Sequence, residues 1–169
     1  MSKVTKIIVI LLALVVGRIV WEIKYDPSLN MTFYIAYKYA QQDLFGGENF
    51  TQGVWGRGCD IVFEYNAWAP DERDRMGRFE NYLEKTWPCE KGTLKGTSRA
   101  IIVRKSGDTY QIFIPYKKGS DTDPEIVRAS KVVANTLSAN VFDAQPVDIH
   151  MCDDFFNTNR VVSSQRRVQ

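Results

Sequence analysis

The first 25 residues, MSKVTKIIVILLALVVGRIVWEIKY, limit what this chain can fold into more than any other feature. Lys3 and Lys6 precede an unbroken apolar run from Ile7 to Val16, and Ile19, Val20 and Trp21 resume it after Gly17 and Arg18. A basic start before an apolar core is the grammar of an export signal. Counted from Val4 to Ile23 the stretch reaches the roughly 20 residues needed to span a bilayer. Arg18 is placed to snorkel and Trp21 to sit at the interface. A helix apolar all round needs a larger soluble core than this chain can supply, so a buried helix is disfavoured. The expectation is a signal-anchor over 1–25 with the amino terminus cytoplasmic, since the lysines lie before the segment. The alternative is secretion after cleavage near Gly17, where Val15-Val16-Gly17 makes a weak small-residue site.

What remains is roughly 140 residues, enough for one sizeable core. With 44% hydrophobic and 25% charged residues the composition is globular. The net charge is only +2. No basic footprint is clustered enough for nucleic acid, so that class of partner is not expected.

An exported domain meets oxidising conditions, in which disulfides persist. Cys59, Cys89 and Cys152 lack zinc-knuckle spacing, and a chain with one histidine offers no second imidazole for a catalytic zinc site. One bridge and one spare thiol is the natural arrangement, with no metal and no cofactor expected.

Periodicity then orders the chain. Residues 29–45 place Phe33, Tyr37, Ala40 and Leu44 on one helical side, and Gly46-Gly47 ends that helix. Residues 48–58 read as loop, with Val54 and Trp55 as candidate strand. Cys59 to Asn66 alternates as a strand. Pro70, Asp71 and Glu72 open a helix whose stripe is Met76, Phe79, Tyr82, Leu83 and Trp87, stopped by Pro88. Ser98 to Lys105 and Thr109 to Tyr116 are strands joined at Ser106-Gly107-Asp108. Asp123-Pro124-Glu125 opens a second helix carrying Ile126, Ala129, Val133 and Leu137, and Val147 to Cys152 is a last strand.

The order β-α-β-β-α-β predicts a ferredoxin-like α+β sandwich over 59–162. Right-handed crossovers give its four-stranded antiparallel sheet the order 4-1-3-2, with both helices on one face. A membrane helix over 1–25 and one extra helix within a connecting region, 26–58, precede it, and 163–169 form a frayed tail. This plan gathers the three cysteines at one pole. Cys59 shares the Ile61/Phe63 face, whereas Cys152 is in phase with Asp148 and His150. Cys59–Cys89 is therefore the preferred bridge, and Cys59–Cys152 the runner-up. In the chain-entropy picture such a bridge stabilises by about 3 kcal/mol.

No stretch carries a catalytic signature. His150 and Cys152 share a strand face and Asp153 and Asp154 follow, which is the weakest of the functional readings. The acids Asp71, Glu72 and Asp74 sit where the helix dipole favours them. The VWGRG loop around Trp55 does not open a helix after a strand, so it is no nucleotide fingerprint. The second sheet face, carrying Val62, Ala100, Ile102 and Phe113, is too apolar for plain water exposure and calls for cover by the 29–45 helix or by a partner. Partner-contact candidates are Trp55, Val62, Ile102 and Phe113. The leading expectation is a non-enzymatic, membrane-anchored extracytoplasmic domain that binds another envelope or membrane protein, in a homo- or hetero-oligomer. An exported inhibitor or immunity-type binder is the alternative, and a small enzyme using Cys152 and His150 comes third.

Overall fold

The computed structural model of the chain describes residues 51–56, 59–87 and 100–165, together with Ala36, Tyr37 and Ala40. Six strands and two long helices follow one another: β1 Thr51–Gly56, β2 Cys59–Glu64, α1 Pro70–Thr86, β3 Ala100–Ser106, β4 Thr109–Pro115, α2 Pro124–Asn140, β5 Val147–Cys152 and β6 Thr158–Ser163.

Local chemistry explains the boundaries. Each helix starts with proline in its first turn, where the missing N–H costs nothing. Asp123 caps α2 by accepting from the Glu125 and Ile126 amides at 2.9 and 3.4 Å. A two-residue loop joins β3 to β4, since Ser106 pairs with Thr109. Gly107, at φ 58°, supplies the left-handed residue that so tight a turn needs. The β5–β6 turn hangs on Asp153, whose carboxylate accepts from the backbone N–H of Phe155 and of Asn157, each at 2.9 Å.

The strands form one mixed sheet in sequence order, β1-β2-β3-β4-β5-β6. Pairs β2/β3 and β4/β5 are parallel; β1/β2, β3/β4 and β5/β6 are antiparallel. Both helices lie on one face, over a core that includes Ile61, Phe63, Ile101, Val103, Tyr110, Ile112, Val147 and Ile149. Edge-to-face contacts join Phe63 to Tyr65 and to Phe79, and Phe142 stacks on Tyr110 at 4.0 Å. The opposite face buries a second cluster of Val62, Ala100, Ile102, Phe113 and Cys152, with Phe156 packed against it.

The four-stranded ferredoxin-like plan is thereby corrected. Helices and inner strands occupy the segments their periodicity assigns, but the sheet has six strands, is mixed, and is ordered differently. On one flank β2 is taken by β1, where the ferredoxin-like plan seats its last strand, and on the other by β3. With β3 antiparallel to β4 and both helices on one face, the two β-α-β crossovers have opposite hands. One of them therefore departs from the right-handed rule that governs about 98% of such connections. That rule is what made 4-1-3-2 the expected order.

Among the described residues no helix is long and apolar enough to cross a membrane. Residues 1–25 lie outside the described residues, as does most of the extra helix expected over 29–45. Of that helix Ala36, Tyr37 and Ala40 are helical, and Tyr37, on the predicted apolar stripe, is 62% exposed.

Candidate functional site

The chemistry concentrates at the pole where β2 and β3 end and β4 begins. Glu72 stands in the first turn of α1, four residues before Met76 and seven before Phe79, in phase with the helix's apolar stripe. Its carboxylate is therefore turned inward and is 4% exposed. Three donors satisfy it: the Tyr110 hydroxyl at 2.6 Å, the Arg75 guanidinium at 3.0 Å, and the Lys105 ammonium. Lys105 is in phase with Ile101 and Val103 and also sits 5.1 Å from the Tyr110 ring centroid. Burial, then the bond to Glu72, raises the Tyr110 pKa well above the phenolic range, so its hydroxyl stays a donor.

Two arginines of α1 tie it to the loop after α2. Arg75 Nε donates to Asp143 at 2.8 Å, and Arg78 donates to Asp143 at 2.8 Å and to the Val141 carbonyl at 2.7 and 3.0 Å. The loop they brace holds Asp143 and Ala144 at φ of 53° and 64°, and the Ala144 amide donates to the Ser138 carbonyl at 2.7 Å. The two arginines also hold the Asp143 carboxyl below its usual range, Arg75 contributing most.

Beside this cluster lies a polar cleft of about 450 Å³, lined by Glu64, Tyr65, Asn66, Arg104, Lys105, Ser106 and Gln111. Arg104 binds the buried Glu64 carboxylate at 2.6 and 2.8 Å. Both cations among the described lining residues are thus paired with carboxylates, Arg104 with Glu64 and Lys105 with Glu72. The Tyr65 hydroxyl is buried without a hydrogen-bond partner. Burial first, and Glu72 second, push its pKa far upward, leaving an unused donor. Two residues after Asn66, Trp68 projects into solvent, 58% exposed, with the Arg73 guanidinium 5.8 Å from its ring.

The residues singled out from sequence fall elsewhere. His150 Nδ1 and Cys152 Sγ both reach the Thr158 hydroxyl, at 3.1 and 3.8 Å. The histidine stacks on Phe113 at 4.2 Å, with Nε2 buried and without a partner. Burial lowers the His150 pKa and pushes the Cys152 thiol up to about 11. A thiol so protonated is a poor nucleophile at neutral pH. Val62, Ile102 and Phe113 are buried in the second cluster, on the face that neither α1 nor α2 covers. The backbone of Trp55 belongs to β1, so the candidate-strand reading of Val54 and Trp55 holds and the loop reading of residues 51–56 does not.

Cys152 carries a free thiol and Cys59 is disulfide-bonded. No bridge joins these two, which lie on opposite sheet faces and three strands apart, roughly 14 Å. Cys89 lies outside the described residues. Among the described residues no group of His, Cys, Asp or Glu is arranged to hold a metal ion.

A crevice of about 260 Å³ also opens between the two helices, floored by Ile101, Ile112 and Ile114. Sequence reasoning missed Tyr65, Lys105, Tyr110 and this crevice. One signal was there to find: an acid and a lysine each in phase with an apolar stripe. No protein-family model, curated protein or solved structure matches the chain.

Proposed function

We propose that this chain is a membrane-tethered extracytoplasmic domain that binds another envelope or membrane protein without catalysing a reaction. The apolar segment within residues 1–25 would insert in the membrane, with the amino terminus cytoplasmic. A Cys59–Cys89 bridge would then close the loop that contains α1.

The observation that carries the reading is the Trp68–Arg73 pair, whose ring stands out in solvent in the turn that follows the cleft residue Asn66. A protruding aromatic paired with an arginine has the composition of a docking hot spot. Two further observations favour binding over chemistry. Glu72 is saturated by three donors, and the Cys152 thiol is buried and strongly protonated.

The test is cross-linking in native membranes followed by purification of the full chain. Recovery of one membrane protein in constant ratio is the expected result. A complex formed only in the soluble fraction, with the N-terminal segment removed, would favour the inhibitor reading instead.

A further inference from the structure

A six-stranded sheet is about 24 Å wide, and two helices of about 10 Å each cannot roof it completely. Here α1 sits over β1 and α2 over β5 and β6, leaving a strip above β3 and β4. At one pole the rings of Phe79, Phe142 and Tyr110 fill that strip. Toward the other pole, between the last turns of α1 and the first half of α2, no described ring fills it in the same way, and a crevice of about 260 Å³ opens there.

Its walls are Leu83 from α1, Trp87 just past its end, and Ala129 and Val133 from α2, and none of its described lining residues is charged. One polar feature reaches inside: the Tyr116 hydroxyl and the nearly buried Ser130 hydroxyl, 3.1 Å apart. Two hydroxyls joined by one hydrogen bond keep a second O–H to offer. Lys117 and Lys118 follow Tyr116 and are exposed. The volume exceeds the roughly 150 Å³ that takes a benzene and falls short of the roughly 300 Å³ at which drug-sized pockets begin.

We propose that this crevice is a binding site for one unbranched acyl chain, its carboxyl or ester oxygen accepting from the Tyr116/Ser130 hydroxyls. The site is separate from the Trp68 pole and stands or falls independently of the protein-docking reading. A free fatty acid and the acyl chain of a lipid present the same chemistry.

The full chain in nanodiscs of fixed lipid composition is labelled with a diazirine-bearing decanoate and the modified peptides are mapped. Label is expected on residues 79–87 and 126–137. Competition by unlabelled hexanoate, octanoate and decanoate, referred to free aqueous concentration, should tighten about fourfold per methylene and level off once the crevice is full. Glycerol monodecanoate competing as well as decanoate would identify an ester-linked chain as the natural occupant; decanoate alone competing would identify the free acid. Ala129→Phe and Thr86→Trp, plugs from opposite walls, should each cut labelling of these peptides at least tenfold with the circular dichroism spectrum unchanged. Label confined to residues 1–25, or labelling of the crevice peptides unaffected in a folded plug variant, would overturn the proposal.

Discussion

Replacing Glu72 by glutamine tests the reading of the buried carboxylate at the smallest change of shape. The substitution removes a charge that Lys105 and Arg75 face directly and that accepts the Tyr110 hydroxyl at 2.6 Å. The new amide can still accept through one oxygen, but its NH2 group points donors at donors. Stripping one partner from a fully buried ion pair costs about 3–5 kcal/mol. Here the lower end applies. The Lys105 and Arg75 side chains are 23% and 13% exposed, so water screens part of the loss, and Arg75 keeps Asp143. The expected loss is about 3 kcal/mol. For a domain of this size that is a drop in Tm of about 12 °C, at about 4 °C per kcal/mol. Urea unfolding with the full chain in nanodiscs, followed by near-UV circular dichroism, measures it. Asp71→Asn is the control: that carboxylate touches Arg75 but is 67% exposed, and its loss should stay within about 0.5 kcal/mol. If Glu72→Gln and Asp71→Asn were equally mild, Glu72 would not be the buried anchor described above.

Tyr65→Phe should leave the domain as stable or about 1 kcal/mol more stable, because it deletes a buried hydroxyl without a partner; a clear loss in Tm would show that the hydroxyl is bonded after all. Ellman's reagent should find no reactive thiol in the folded chain and one per chain in guanidinium, given a free buried Cys152 and the proposed Cys59–Cys89 bridge; three thiols would refute the bridge. Burial lowers the His150 pKa, so the unfolded chain binds the proton more tightly, and the stability this residue contributes is full above pH 6.5 and declines as pH falls through its folded pKa. Tm should accordingly fall more between pH 7.5 and 5.5 in the native sequence than in His150→Gln, and equal slopes would contradict the burial.

Much of the fold was legible because alternation and helical spacing are local signals. The parity of Cys59 and Cys152, on opposite sheet faces, follows from alternation alone. Sheet order is not local. It depends on which edge of β2 is free, and β1 takes one although its Gly- and Trp-rich sequence, TQGVWG, reads as loop. Gly53 is crowded only in the fold: a Cβ there would have to displace the flexible end of Glu80 and would press the Phe63 ring at 3.2 Å. The other edge strand, β6, was missed for the opposite cause: TNRVVS is polar because five of its six residues stay exposed. In the polar cluster Glu72 looked like an ordinary first-turn acid suited to the helix dipole. Its phase with Met76 and Phe79 marked it as inward-facing, but its partners Lys105 and Tyr110 lie more than 30 residues away and are brought to it by the sheet.

The most direct test of the docking reading places a photo-crosslinking amino acid at position 68 and, in a parallel sample, at position 132 of the full chain in native membranes. Trp68 stands out in the turn before α1, whereas Val132 is equally exposed on α2. The account predicts one discrete adduct from position 68 and none of that mass from position 132. Equal adducts from both positions, or none from position 68, would contradict it.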